Sequence, residues 1–73
     1  MSRHEVQAEI AGLVLSVDCA VGQAVEADEP LLMIESMKME IPVMAPKKGT
    51  IAEIRVQAGD TVLQDQVLVV VEG

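Results

Sequence analysis

At the middle of the chain stands Ile34-Glu35-Ser36-Met37-Lys38-Met39-Glu40-Ile41. The residues on either side of Met37-Lys38 read as strands, Leu31 to Ser36 and Met39 to Met44, so only two residues connect them. A two-residue hairpin loop favours type I′ or II′ geometry and takes its positive φ angles from Asn-Gly or from paired glycines. Met-Lys provides neither, so the turn is expected to hold local strain, a recognised mark of functional positions. Counting outward pairs Ser36 with Met39, Glu35 with Glu40 and Ile34 with Ile41. The Glu35/Glu40 pair sets like charges opposite each other, which is unfavourable unless a cation sits nearby, and Lys38 is the obvious cation.

Further out, the two flanks prove to be copies. An offset of 37 residues brings Val6 onto Val43, Ala8 onto Ala45, Gly12 onto Gly49, Gly22 onto Gly59, Val25 onto Val62, Asp28 onto Asp65, Leu31 onto Leu68 and Glu35 onto Glu72. Val14/Ile51, Val17/Ile54 and Cys19/Val56 are conservative apolar pairs. Eight identities in 33 positions, six of them at glycines and apolar residues, define two units of roughly residues 4–36 and 41–73. Two copies are too few for an open solenoid, which needs at least three repeats.

Each unit reads as four short strands. The first has Val6 to Ile10, Leu13 to Cys19, Ala24 to Glu26 and Leu31 to Ser36; the second has Met39 to Met44, Thr50 to Val56, Thr61 to Leu63 and Val67 to Val71. Turn signals at Gly12, Gly22, Asp28-Glu29-Pro30, Pro46 to Gly49, Gly59-Asp60 and Asp65 separate them. The expected fold is all-β: a flattened barrel or sandwich of two four-stranded antiparallel sheets related by a pseudo-two-fold, in a single domain spanning residues 1–73.

Composition narrows the function. The chain is 51% hydrophobic without one Phe, Tyr or Trp, and Val, with 12 copies, leads the apolar set. A chain of 73 residues buries only about 60% of its unfolded surface, which disfavours an elaborate cleft. Twelve acidic against five basic residues give a net charge of −7, and no ring is present to stack on a base, so nucleic acid is not expected as a partner. The longest apolar runs, Leu31 to Ile34 and Val67 to Val71, fall far short of the roughly 20 residues of a membrane-spanning helix. Met1 to Glu5 lead straight into a strand pattern with no signal-like apolar core, so a cytoplasmic location is expected. Cys19 is the one cysteine, which leaves no internal disulfide and no Cys-based metal cluster. No metal ligand set is expected. Met37 and Met39 are thioethers that could suit Cu(I), but no Cys or His lies close to them in sequence.

A lysine at a hairpin tip offers an unhindered amine on a four-carbon stem. Acylation of Lys38 by an activated donor such as an acyl adenylate would remove its charge and make a long neutral arm. Glu35-Ser36-Met37-Lys38-Met39-Glu40 resembles the attachment segment of biotinyl domains, in which the lysine of a Met-Lys-Met tripeptide carries biotin in amide linkage. The resemblance runs through Ala11-Gly12, Val21 to Val25 and Pro30-Leu31-Leu32 on one side. On the other it runs through Ile41-Pro42-Val43, Ala45-Pro46, Gly49, Gly59 to Val62 and Gln66-Val67-Leu68, so that essentially the whole chain is covered. It implies a non-catalytic carrier of a biotin-dependent carboxylase, with biotin on Lys38 and Met37, Met39, Glu35 and Glu40 as flanking recognition residues. The implied partners are a biotin protein ligase, a biotin carboxylase and a carboxyltransferase, the domain itself being monomeric.

Ser36 stands where this family more often has Ala. The stretch from Cys19 to Val25 is too short for the thumb insertion of some acetyl-CoA carboxylase carriers, so the compact, thumbless type is implied. No Pro/Ala-rich linker precedes the domain, which fits either a free-standing carrier or a piece of a larger subunit. Lipoyl domains share the duplicated fold, but they typically place Asp before the lysine and Ala after it, which leaves lipoate, or a domain that accepts either group, as the lesser alternative. Cys19 is expected in the core and His4 in solvent, and Pro42 points to an edge strand or a strand end.

Overall fold

The computed structural model describes residues 2–73. Eight strands follow in order: β1 (Arg3–Gln7), β2 (Gly12–Val17), β3 (Ala24–Val25), β4 (Pro30–Ser36), β5 (Met39–Met44), β6 (Gly49–Ile54), β7 (Thr61–Val62) and β8 (Val67–Glu72). They form two four-stranded antiparallel sheets, β1-β8-β6-β3 and β5-β4-β2-β7, and no helix occurs among the described residues. This is the flattened barrel-sandwich that the strand pattern predicts. The repeat sets its layout. Each sheet takes its central pair, β8-β6 or β4-β2, from one unit and its two outer strands from the other.

Backbone hydrogen bonds between the units come in reciprocal pairs at the offset of 37. The Gly22 N–H donates to the Ile51 carbonyl at 2.8 Å and the Gly59 N–H donates to the Val14 carbonyl at 2.8 Å. Likewise Asp28 N–H reaches the Ala45 carbonyl at 2.8 Å and Asp65 N–H the Ala8 carbonyl at 2.7 Å. The core has the same symmetry. Leu31 and Leu68, Val25 and Val62, Val14 and Ile51, Leu32 and Val69, and Ile34 and Val71 are all buried in one cluster. A side chain of this kind contributes about 1.5–3 kcal/mol when fully buried, and here residues of both units share one cluster.

Strand bounds depart from the pattern at the ends. The first strand was expected over Val6 to Ile10 and forms over Arg3–Gln7, because pairing with β8 extends out to Arg3↔Glu72. Ala8 leaves the ladder to exchange hydrogen bonds with the Asp65 and Gln66 loop, which ends β1. The long second strands stop early for the same kind of reason: Asp18 N–H and Arg55 N–H turn to the carbonyls of Leu31 and Leu68, both at 2.8 Å. Irregularities between Val14 and Ser16 and between Ile51 and Glu53 account for the incomplete alternation of those two strands.

The β4–β5 hairpin has the expected register, Ser36↔Met39, Glu35↔Glu40 and Ile34↔Ile41. Its two loop residues both have positive φ, 53° at Met37 and 67° at Lys38, as a type I′ turn requires. The other left-handed positions fall on Gly22, Gly59, Asp28 and Asp65, residue types that tolerate them. Met37 and Lys38 do not, and each costs about 1–2 kcal/mol there.

Gly12 sits at the root of this hairpin. A Cβ at Gly12 would lie 2.7 Å from Ile34 Cγ2 and against the Glu35 carbonyl, and one at Gly49 would lie 2.8 Å from Val71 Cγ1 and against the Glu72 carbonyl. Two outcomes are expected in thermal or denaturant unfolding. Gly12→Ala and Gly49→Ala should each cost about 1–3 kcal/mol, as overpacked positions do. The double change Met37→Asn, Lys38→Gly should raise stability by about 1–2 kcal/mol by putting favoured I′ residues into the turn.

Candidate functional site

The site is a projecting side chain and not a cleft. Met37 is 85% exposed and Met39 64%, and Lys38 between them is exposed as well. A groove of about 560 Å³ runs between the edge strands β1 and β5 and is lined in part by Val6, Ala8, Ile34, Pro42 and Val43; Lys38 lies outside it. The turn is held from below. Ser36 and Ile34 are buried, while the interposed Glu35 points to solvent, so the strand leading to the lysine is anchored on alternate residues. Ser36 is 7% exposed.

Glu35 and Glu40 are directly opposite each other and exposed. The ammonium expected to bridge them does not do so. Among the described residues the ion pairs within 4.0 Å join Arg3 to Glu53 and Glu72 and Arg55 to Glu53, and Lys38 takes part in none. The physical reason is the turn geometry: a residue at positive φ at the apex directs its chain away from the ladder on which the two glutamates sit. Lys38 therefore presents an amine that no carboxylate holds, on a stem that can be acylated without dismantling any contact.

The remaining sequence candidates fall elsewhere. Cys19 is partly buried and packs against the core, as its alignment with Val56 suggested. Burial first, and then the nearby carboxylates of Asp18 and Glu29, push its thiol pKa up, so it stays protonated at neutral pH. His4 is exposed on β1 opposite Val71. Pro42 lies on β5, an edge strand, where one row of backbone groups has no neighbouring strand to bond.

Two features have roles that the sequence reading missed: Gly12, expected as a turn, is the first residue of β2, and a charge network joins distant strands. Gly12 is the contact that lets β2 close against the hairpin root, and its signal was present in the Gly12/Gly49 identity of the repeat. The other is the charge network at the repeat-equivalent end. There the Arg55 guanidinium, by hydrogen bond and by charge, together with Arg3, holds the Glu53 carboxyl below its ordinary range. No periodicity announces that network, because it joins residues 50 and 69 positions apart.

With this geometry in view, three comparisons bear on the chain. A family model described as biotin-requiring enzyme matches residues 3–71. Pyruvate carboxylase of Staphylococcus aureus (strain Mu50 / ATCC 700699) is 39% identical over 67 residues, which is 92% of this chain and 6% of that protein. The biotinylated protein TB7.3 homolog of Mycobacterium leprae is 36% identical over 68 residues, 93% of this chain and 96% of that one. Among solved structures, the Kluyveromyces lactis urea carboxylase superposes with a TM-score of 0.92 at 30% identity, covering 99% of this chain and 6% of that chain. The chain thus spans a small part of the two large carboxylases and nearly the whole of the mycobacterial protein. With a match over residues 3–71, a duplicated sandwich of the same shape and a free lysine at its central turn, the chain belongs to the biotin-requiring enzyme family.

Proposed function

We propose that Lys38 carries biotin in amide linkage and that the domain, a biotin carboxyl carrier by its family, moves a carboxyl group between a biotin carboxylase and a carboxyltransferase. The observation that carries this reading is the strained type I′ turn. Met37 and Lys38 occupy left-handed backbone positions at an energetic cost, and the result is an exposed, unpaired amine at the connection between the two units. A turn kept only for folding would use Asn-Gly.

In the loading step the Lys38 amine attacks the carbonyl of biotinyl-adenylate. A C–N bond forms, AMP leaves, and the amine gives up a proton to solvent. Once attached, biotin supplies a ureido nitrogen able to accept and release a carboxyl group. What this chain contributes is positional. Strands β4 and β5 hold Lys38 clear of the body of the domain, and tethering replaces two encounters in free solution with effective concentrations in the millimolar range. Met37 and Met39 form a flexible apolar collar beside the arm, suited to contact with more than one partner enzyme. No step of the carboxylation is assigned to a side chain of this domain. The acceptor, an acyl-CoA or a small keto acid, is selected by the transferase.

The flanking methionines support biotin over lipoate, which shares the fold. Intact mass spectrometry after incubation with ATP, biotin and a biotin protein ligase should show one added biotin, absent in Lys38→Arg. A parallel incubation with a lipoyl-attaching enzyme should show little or no gain. Failure of the wild-type chain to take up biotin would remove the reading, and a complete gain with lipoate alone would replace it.

A further inference from the structure

Because the two sheets are repeat mates, an offset of 37 residues compares their outer faces position by position. On the sheet β1-β8-β6-β3 the face is sealed by charge. Arg3, on the edge strand, pairs with Glu72 of β8 at 2.8 Å and with Glu53 of β6, and Arg55 pairs with Glu53 at 3.2 Å. The Arg3 side chain therefore crosses β8. Val70 lies in that strand, opposite Glu5 on one side and Glu53 on the other. It is only 1% exposed, yet it stands outside the core cluster that holds its neighbours Val69 and Val71. Strand alternation puts Val70 on the outer face, where the long arginine stem and the paired carboxylates cover it.

On the hairpin sheet three of the four members of that cover are changed. Arg3 is replaced by Glu40, Glu53 by Ser16 and Arg55 by Asp18, while Glu72 keeps its acid as Glu35. Both cations are gone and three carboxylates remain. The apolar residues have meanwhile grown: Thr50, Ala52 and Val70 correspond to Leu13, Leu15 and Met33. Leu13 is 38% exposed, Leu15 37%, and Met33 is half-buried. The same backbone surface is closed by its own arginines on one side of the molecule and left apolar, acid-rimmed and open on the side that carries Lys38.

We propose that this open face, formed by Leu13, Leu15, Met33, Glu35, Glu40 and Asp18, is the docking surface for the biotin protein ligase. A basic side chain of the ligase, arginine or lysine, is laid across β4 as Arg3 lies across β8. This rests on the biotin-carrier reading. The choice of the ligase follows from what has to be recognised. Lys38, Lys47 and Lys48 bear the same amine, so the enzyme that loads Lys38 must find it by protein surface alone. The enzymes that use the loaded arm have the biotin ring to bind. Charge complementarity favours a basic counterpart, and the sealed face is an intramolecular template for how such a cation fits.

The test is to close the face with the residues of its mate. Ser16→Glu with Asp18→Arg leaves residues 35–40 unchanged, and adding Glu40→Arg reproduces the whole Arg-Glu-Arg-Glu set. With a purified biotin protein ligase, biotin and ATP, kcat/KM for biotinylation should fall about tenfold or more in both variants, mainly through KM, with no loss of Tm. Its dependence on salt concentration should also flatten. The mirror change, Arg3→Glu with Glu53→Ser, opens the other sheet; it should lower Tm and leave kcat/KM within about twofold of wild type. Normal loading of wild type together with unchanged kcat/KM in the two closed variants overturns the docking face, as does an equal loss in the mirror variant. A wild-type chain that accepts no biotin overturns instead the carrier reading beneath it.

Discussion

Each sheet is completed by strands from the opposite unit, and everything else in this molecule depends on that exchange. Strand β7 of the second unit pairs with β2 of the first, β3 of the first pairs with β6 of the second, and the edge strands β1 and β5 are likewise traded. The reciprocal bonds from Gly22 to Ile51 and from Gly59 to Val14 pin the crossing points. A unit on its own would expose an apolar face and four broken strand edges. A chain of 73 residues with no aromatic side chain has little apolar surface to spare, and interlocking two copies lets each Val, Leu and Ile of one unit cover those of the other.

The exchange also explains why the lysine sits where it does. Joining two interlocked units requires one connection from β4 to β5, and the register leaves only Met37 and Lys38 to make it. The turn tolerates two unfavourable φ angles because the hairpin beneath it is over-determined: six register pairs between β4 and β5, and a glycine at Gly12 through which β2 closes on the Glu35 carbonyl. Strain of this size persists only on such a base. At the repeat-equivalent position the chain closes differently, with Ser2 and Gly73 exchanging backbone hydrogen bonds at 3.0 and 2.9 Å.

Duplication also made the departures from symmetry readable. Two faces built on the same backbone differ in a handful of side chains, and those differences are chemically coherent: Arg3 and Arg55 pair with Glu53 and Glu72 on one face, while Glu40 and Asp18 leave the other without a cation. Random drift of a solvated surface would scatter charges over both. Here the unbalanced acids and the larger apolar residues gather on the sheet that ends in Lys38, which is where a partner must approach.

Much of this was legible in the order of residues. The repeat at 37, the alternating strands and the glycine and aspartate turns gave two copies of one β-unit in two antiparallel sheets, because turn chemistry and strand period are local properties that short segments express by themselves; that the copies exchange strands was not legible there. Met37-Lys38 stood out for the same reason: two residues that no I′ turn prefers, in the place of one. Long-range contacts were hidden. That β1 begins at Arg3 depends on how far β8 extends; that Lys38 does not bridge Glu35 and Glu40 depends on where a left-handed turn sends its side chain. That one face is sealed and its twin open depends on ion pairs joining the first strand to the sixth and the last. Sequence by itself determined the fold, its symmetry and the lysine at the central turn, since each is written in local pattern. Only the tertiary structure decided which charges meet, because a salt bridge between residues 3 and 72 exists only once the sheet has brought them within 2.8 Å.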